Sequence, residues 1–314
     1  MSDVFPPPPP GEGQGEGATV AELQRLTIRQ LAQTLPPREA RLEAQLLLAH
    51  ALKVDRVWLI AHDTDPLTPA QLDACNALIA RRLVGEPIAY LLGEREFYGR
   101  RFQVTPAVLI PRPETELLVD LALERLPADA PARVLDLGTG SGCLALTLAL
   151  ERPLAQVTAV DASADALAVA RENAHHLQVA NVALIESDWF AVLEGGAGCN
   201  PPGRMNPAPQ RRAFDLIVAN PPYVAAADPH LAQGDVRFEP LSALAAGADG
   251  LDDLRRIIAA APAHLAPGGG LLLEHGWDQG EAVPALLYAA GFIDVECVPD
   301  LAGQPRVSLG RMPE

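Results

Sequence analysis

Lysine is almost missing from this chain: Lys53 is the only one, and every other basic side chain of this kind is arginine. Together Lys and Arg number 24 against 40 Asp and Glu, for a net charge of −16. That shortage of positive charge argues against tight binding to a nucleic-acid backbone, where cationic neutralisation supplies much of the affinity. No stable nucleic-acid complex is expected, and the acidic surface favours a neutral or basic partner. No apolar run approaches the ~18 residues of a membrane span, so no membrane association is expected. The N-terminus has neither the basic region nor the apolar core of a secretory signal, and the cytoplasm is the expected compartment. Cysteine is scarce too. Cys75, Cys143, Cys199 and Cys297 lie far apart with no C-x-x-C pair, which speaks against a structural zinc site and leaves no metal expected. Four reduced thiols, two or three of them buried, are the expectation. What the chain does have is ample apolar material, 49% of 314 residues, enough for one large or two ordinary domains.

Taken in order, residues 1–18 begin with a run of five prolines, Pro6 to Pro10, and read as a disordered tail. Residues 19–93 read as a small all-helical domain. Thr19-x-x-Glu22 and Thr68-Pro69-Ala70-Gln71 are helix-start patterns, and 38–52 carries an amphipathic repeat after Pro36-Pro37. This domain holds no chemical motif; partner recognition and a purely structural cap both fit it. Residues 94–113 form a linker, with 96–98 and 102–104 read as a β-hairpin around Gly99. From residue 114 onward, after a first helix at 114–126, strands alternate with helices, the pattern of a parallel sheet covered on both faces. Seven strands are expected, near 134–137, 157–160, 182–186, 214–219, 270–274, 292–298 and 306–309, the last two as a hairpin that places one antiparallel strand in the sheet. Helices are expected at 250–265 and 278–290, and 194–212 reads as a mobile Gly/Pro-rich insertion.

The most informative stretch is Asn220-Pro221-Pro222-Tyr223, directly after the apolar strand Phe214 to Ala219. Ligands bind beyond the carboxyl ends of strands in open α/β sheets. The prolines hold Asn220 and Pro221 extended, and Pro221 has a carbonyl acceptor without an N–H donor. With the Asn220 side-chain oxygen this makes two acceptors side by side, matched to a planar NH2 group, against which Tyr223 can lay its ring. A plain proline turn is the competing reading. Asn200-Pro201-Pro202-Gly203 repeats the tripeptide with neither a strand before it nor an aromatic after it, and reads as loop.

Three more strand ends carry polar motifs. Gly138-Thr139-Gly140-Ser141-Gly142 follows the first strand. Its spacing departs from the G-x-G-x-x-G of nicotinamide-binding folds, yet it still lets a ligand approach the backbone at a helix N-terminus. Asp161 closes the second strand, where a carboxylate accepts from two ribose hydroxyls. Asp188-Trp189 follow the third and suit an adenine, with an acceptor for its amino group and a ring to pack on it.

In this order the motifs resemble those of class I S-adenosylmethionine-dependent methyltransferases, and Asn-Pro-Pro-Tyr resembles the branch that methylates planar nitrogens. Further wording narrows the likeness. Phe97-Tyr98-Gly99-x-x-Phe102, Ile110-Pro111-Arg112-Pro113-Glu114-Thr115-Glu116, Ser187-Asp188-Trp189-Phe190, Gln233 to Pro240 and Leu273-Glu274-His275-Gly276-Trp277 together resemble the PrmC/HemK family across about residues 19–311. The tail and the 194–212 insertion depart from the family pattern. The resemblance implies a Rossmann-like methyltransferase domain over 114–314 behind a helical domain and a β-hairpin linker. It implies that the chain methylates the side-chain amide N5 of the glutamine in the Gly-Gly-Gln motif of peptide chain release factors. Gly138 to Gly142, Asp161, Asp188, Trp189 and Asn220 would then hold S-adenosylmethionine, and Asn220, Pro221, Pro222 and Tyr223 the glutamine, in a monomer. A related branch methylating a ribosomal-protein glutamine shares Asn-Pro-Pro-Tyr; the Arg112 to Glu116 wording resembles the release-factor branch better.

The chemistry implied is catalysis by positioning, with Asn220 Oδ1 and the Pro221 carbonyl aiming the amide nitrogen. No ordinary general base is visible: His275 reads as structural, and Phe97 as core before it reads as a wall of the site. A DNA adenine-N6 methyltransferase would need a basic groove, which the charge opposes. An interaction protein retaining only a nucleotide pocket is the non-enzyme reading.

Overall fold

The computed structural model describes residues 17–194 and 213–314. Nearly all of the expected tail and of the expected insertion, including its second Asn-Pro-Pro, lies outside them. The described chain divides after Leu92 into two compact units.

In the first unit the caps do what their chemistry requires. The Thr19 hydroxyl accepts from the Glu22 N–H while the Glu22 carboxylate accepts from the Thr19 N–H, starting α1 (Val20–Leu31). Pro37 occupies the first turn of α2 (Pro37–Leu52), where a missing N–H breaks no helical bond. Asp55 caps α3 (Arg56–Ala61), and Thr68 with Gln71 repeats the reciprocal cap at α4 (Pro69–Leu83). With α5 (Ile88–Leu92) these helices close on two small apolar clusters, one around Leu23, Leu48 and Ile79, the other around Leu31, Leu47 and Leu91.

The second unit opens with the hairpin β1 (Glu94–Phe97) and β2 (Arg100–Gln103). Both strands start two residues before their expected positions. Tyr98 and Gly99 form the turn, with φ of 52° and 72°, the conformation that lets two residues join twisted strands. The left-handed Tyr98 is held by its N–H on Glu116 at 2.8 Å and its hydroxyl on Asp120 at 2.7 Å. Phe97 is buried in the core with Phe102 and Leu118, as packing and not as a cavity wall.

After α6 (Thr115–Arg125) comes a seven-stranded sheet: β3 (Arg133–Leu137), β4 (Gln156–Asp161), β5 (Val182–Glu186), β6 (Phe214–Ala219), β7 (Leu265–Glu274), β8 (Ile293–Pro299) and β9 (Pro305–Arg311). Its order is β5-β4-β3-β6-β7-β9-β8. All neighbours are parallel except that β9 runs antiparallel between β7 and β8. The helices α7 (Cys143–Glu151), α8 (Ala164–His176), α9 (Ala191–Glu194), α10 (Asp252–Ala260) and α11 (Ala282–Ala289) fill the connections. Side chains alternate between the two faces. Val134, Leu216 and Val218 enter one core, with Leu118 and Leu148; Leu135, Leu137 and Ile217 enter the other, with Leu254 and Leu287. Burial on both faces explains why these strands read as continuous apolar runs.

The expected 250–265 helix stops at Ala260, because Pro262 lacks the N–H to continue it and a 3-10 turn, Ala261–Ala263, follows. β7 accordingly starts at Leu265, and its register slips between the Phe214–Leu265 and Leu216–Gly270 pairs, across Gly268 and Gly269. The helix expected from 278 begins at Ala282 after another 3-10 turn. Of the described cysteines, all free, Cys75 is buried and Cys143 and Cys297 are half-buried. No helix among the described residues is long and apolar enough to cross a membrane.

Two polar ties fasten the loops over this sheet. Asn173, fully buried on α8, accepts the Gln103 N–H at 2.7 Å and donates to the Gln103 and Ser141 carbonyls at 3.0 and 2.8 Å. One amide thus joins the hairpin to the turn after β3. Glu239, its carboxylate shielded from solvent, accepts the Ile110 N–H at 3.0 Å and pairs with the Arg112 guanidinium. Asn173→Ala should cost about 3 kcal/mol or more in urea unfolding of the full chain, because buried backbone groups lose their partners; a loss below ~1 kcal/mol would show that water replaces the amide. Glu239→Ala should cost about 2 kcal/mol, less than a fully buried pair because Arg112 is part-exposed and rehydrates. An unchanged Tm would show that the 105–113 segment stays closed without it.

Candidate active site

The sheet order sets the ends of β5, β4, β3 and β6 side by side, and strand succession reverses between β3 and β6. That reversal is where open α/β sheets leave a crevice for ligands. A cavity of about 620 Å³ lies there. Gly138, Thr139, Gly140, Ser141, Asp161, Asp188, Trp189, Asn220 and Pro222 line it; Gly142, Pro221 and Tyr223 are not among its lining residues.

The turn from β3 into α7 needs its glycines for backbone reasons. Gly138, Gly140 and Gly142 have φ of 72°, 55° and 82°, a left-handed region that side chains rarely enter. A Cβ on Gly142 would also approach Leu146 to 3.0 Å, so this third glycine serves helix packing. The Gly138 and Thr139 N–H groups both donate to the Val160 carbonyl at 2.9 Å, which folds the turn over the end of β4. Asp161 is oriented from both sides: its Oδ2 accepts the Gly140 N–H at 2.8 Å and its Oδ1 the Ser163 N–H at 2.9 Å.

Trp189 has a φ of 48° and lays its ring against Gly138, where a Cβ would come within 3.3 Å of it. Its indole N–H reaches Asp253 at 3.3 Å, and Asp188 pairs with Arg256 at 2.8 Å. Asp253 and Arg256, both from α10, also line the cavity. Sequence reasoning missed them, and nothing in an amphipathic helix marks them.

Asp136 heads the same glycine pattern in the sequence without being assigned a role there, although it carries a signal: a carboxylate inside the apolar strand Val134 to Leu137. It lines the cavity, is buried, and leaves Oδ2 without a partner. Burial pushes its carboxyl up to about 7, against the pull of the Thr139 hydroxyl, and Asp161 pushes the same way. Cys143, at the start of α7, has its thiol pushed up to about 12 by burial, so it offers no thiolate.

Asn220 is the first residue past β6. Its Nδ2 donates to Thr115 Oγ1 at 3.1 Å, while its buried Oδ1 has no partner. Tyr223 turns away from the cavity, packs against the core and donates to Glu274 Oε1 at 3.4 Å; burial raises its phenol above the usual range. Gln279 donates to the Tyr223 carbonyl at 3.0 Å and accepts the Gly276 N–H at 2.9 Å. Gly250 packs so close that a Cβ would sit 2.2 Å from that same carbonyl, at a φ of 75°. His275 is fully buried, with its ring nitrogens on Ser308 Oγ at 2.7 Å and the Gly276 carbonyl at 2.8 Å, so both are occupied within the fold.

Asp136 Oδ2, Thr139 Oγ1 and Asn220 Oδ1 are thus buried polar atoms on cavity residues without a full hydrogen bond. An apolar void would not orphan three such atoms, and a polar ligand of nucleoside size fits the set.

Comparison with known proteins identifies the family. Residues 22–93 match the family model described as the PrmC N-terminal domain, and residues 128–290 that of a methyltransferase domain. The release factor glutamine methyltransferase of Bordetella pertussis is 53% identical over 274 residues, 87% of this chain and 96% of its own. That of Escherichia coli (strain K12) is 46% identical over 287 residues, 91% and 96% of the two chains. The hMettl16 catalytic domain, solved in complex with the MAT2A 3′UTR hairpin 6, gives a TM-score of 0.50 at 16% identity over 75% of this chain and 81% of that one, a likeness of fold alone. With both of its parts matched and relatives about half identical along nearly their whole lengths, this chain belongs to the release factor glutamine methyltransferase family.

Proposed function

We propose that this protein transfers a methyl group from S-adenosylmethionine to the side-chain amide N5 of the glutamine in the Gly-Gly-Gln motif of peptide chain release factors, in the cytoplasm where that substrate works. The observation that carries the chemistry is Asn220 Oδ1: an acceptor, buried, without a donor, at the edge of the same cavity as the glycine turn. Its missing partner is an N–H, and a primary amide brings two.

The residues that would hold the cofactor are the glycine turn, through its backbone; Asp161, whose carboxylate keeps lone pairs free beyond the two N–H groups that orient it; and Trp189 with Asp188 on the third strand end. S-adenosylmethionine supplies the methyl group on a positively charged sulfur. What the chain itself must do is present the nitrogen. An amide nitrogen is a poor nucleophile because its lone pair is shared with the carbonyl. Asn220 Oδ1 accepts one amide hydrogen and the Pro221 carbonyl the other. These bonds draw the protons toward the protein, leave electron density on nitrogen, and fix the direction in which its lone pair points. Near-attack placement at ~3–3.5 Å converts orientation into rate, worth several kcal/mol. Pro222 forms the wall beside the amide, and Tyr223 braces the segment from behind. One N–H proton would pass to bulk water during or after formation of the N–C bond, which leaves the methylated amide neutral.

The test is mass spectrometry of the Gly-Gly-Gln peptide from unmodified release factor, after incubation with the protein and S-adenosylmethionine. A single added methyl on the glutamine is expected. Asn220→Ala should lower kcat by about 10²–10³, the usual cost of one preorganised hydrogen-bonding group at a reacting centre, while cofactor affinity measured by calorimetry stays within a few-fold. Loss of cofactor binding without loss of turnover by the bound enzyme would refute the role given to Asn220. Methylation of a ribosomal-protein glutamine in place of the release factor would refute the substrate.

A further inference from the structure

Trp189 takes a backbone conformation that bulky side chains seldom enter, with a φ of 48°. Such residues persist only where their surroundings fix them, and they cluster at ligand sites. Ser187 fixes the backbone here. Its hydroxyl donates to the Trp189 carbonyl at 3.0 Å and accepts the Val192 N–H at 3.0 Å. The indole itself still has two torsions. Its six-membered edge lies over Gly138, where a Cβ would come within 3.3 Å of it. Its N–H, at the other end of the ring, donates to Asp253 Oδ1 at 3.3 Å. The ring cannot turn about either torsion without losing one of these contacts.

Asp253 lies in the first turn of α10, a helix anchored in the core by Leu254, Ile257 and Ile258. An acid in that turn is favourable simply as a charge at a helix N-terminus. Asp252 fits that plain reading: its side chain is 61% exposed and pairs with Arg255 three residues on. Asp253 differs. Its side chain is only 20% exposed, and the residue lines the cavity. Arg256, one turn further, reaches Asp253 at 3.5 Å and Asp188 at 2.8 Å. One helix thus holds both residues of the third strand end, Trp189 through Asp253 and Asp188 through Arg256.

We propose that Asp253 is a positioning residue for cofactor binding: through the indole N–H it fixes the plane of the Trp189 ring, against which the purine of S-adenosylmethionine packs. The inference rests on the methyl-transfer reading above and extends its cofactor site to α10. A ring already fixed loses no rotamer freedom when the ligand arrives; a free ring must be ordered at that moment, and binding weakens. The purine is remote from the transferred methyl, so the loss falls on affinity and leaves the chemical step alone.

The chain has three tryptophans, Trp58, Trp189 and Trp277. NMR of the isotopically labelled full chain therefore shows three indole N–H resonances, and Trp189→Phe identifies one of them by its loss. In Asp253→Ala that resonance should move and exchange faster with solvent. In Asp253→Asn, which keeps an acceptor oxygen, it should stay close to its wild-type position. Calorimetry with S-adenosylhomocysteine, which has the purine but no charged sulfur, reads the consequence. Asp253→Ala should weaken binding about ten-fold, part of what a base–aromatic stack contributes. Asp253→Asn should stay within about three-fold of wild type, which separates aiming the ring from supplying negative charge. In the Trp189→Phe background there is no N–H to hold, so adding Asp253→Ala should cost less than about two-fold more. In steady-state methylation Asp253→Ala should raise the KM for S-adenosylmethionine while kcat holds nearly constant.

An Asp253→Ala chain that binds S-adenosylhomocysteine as the wild type does overturns the inference. So does a loss of affinity that is the same in the Trp189→Phe background, or an indole resonance that Asp253→Ala leaves in place. A wild type that binds no S-adenosylhomocysteine defeats the cofactor reading itself and this use of the ring with it; normal binding by the wild type tells that failure apart from the failure of Asp253 alone.

Discussion

An oxygen kept from water with nothing to bind is an expense, ~1–3 kcal/mol for a neutral group, and Asn220 Oδ1 is such an oxygen. A flexible loop would relieve it by turning the side chain to solvent. Here the surroundings forbid that. Asn220 leaves the sheet from β6, hydrogen-bonded between β3 and β7 and buried on both faces. Two prolines hold the chain extended beyond it. Gln279 grips the Tyr223 carbonyl, and Gly250 packs against the same carbonyl where no side chain would fit. The strain of an unmet acceptor is thus distributed over the sheet centre, which is the most stable place available to store it.

The remaining cavity wall follows from the same need to keep that acceptor dry and aimed. The Arg112–Glu239 pair ties the 105–113 segment to the loop carrying Pro240, Ser242 and Ala243, and both sides line the cavity. These two partners come from two of the sequence stretches on which the family resemblance rested. Seen in the structure, the pair of motifs is one interaction written twice, so either motif without its partner would lose its meaning.

This explains which parts of the site were legible in the sequence. The glycine turn, Asp161, Asp188-Trp189 and Asn220 each announce themselves locally, because each follows its own apolar strand, and the strand is visible as a run. The parallel sheet was legible for the same reason. The hairpin was placed two residues late because a left-handed Tyr98 is not a residue one assigns to a turn; its stability comes from Glu116 and Asp120, 18 and 22 residues away. Asp253 and Arg256 were invisible because helix periodicity reports only which face is buried. Thr115 stood within a quoted motif, yet its role depends on a contact with Asn220, 105 residues later, that no local pattern encodes. Tyr223 shows the opposite error: the sequence places an aromatic next to the acceptors, but the chain turns it inward onto Glu274, so its ring braces the segment where a wall of the cavity had been expected.

The acidity of the chain also takes on a local meaning. Asp136, Asp161, Asp165, Asp188 and Asp253 line the cavity against only Arg112 and Arg256. Arg256 is engaged by Asp188 and Asp253, and Arg112 by Glu239, so neither is left to balance the remaining carboxylates. A cleft with that balance and low-dielectric walls attracts cations and repels phosphates. It suits a cofactor whose reacting atom is a positively charged sulfur and whose amino acid carries an ammonium. Asp136 makes the point most sharply. Burial pushes its carboxyl up to about 7. A cation bound beside it would favour the ionised form. The net charge of −16 first served as an argument against one class of partner. At the site it is an argument for the ligand, because the same excess of carboxylates, concentrated where four strand ends meet, favours binding of a cation in the cavity that Asn220 also lines.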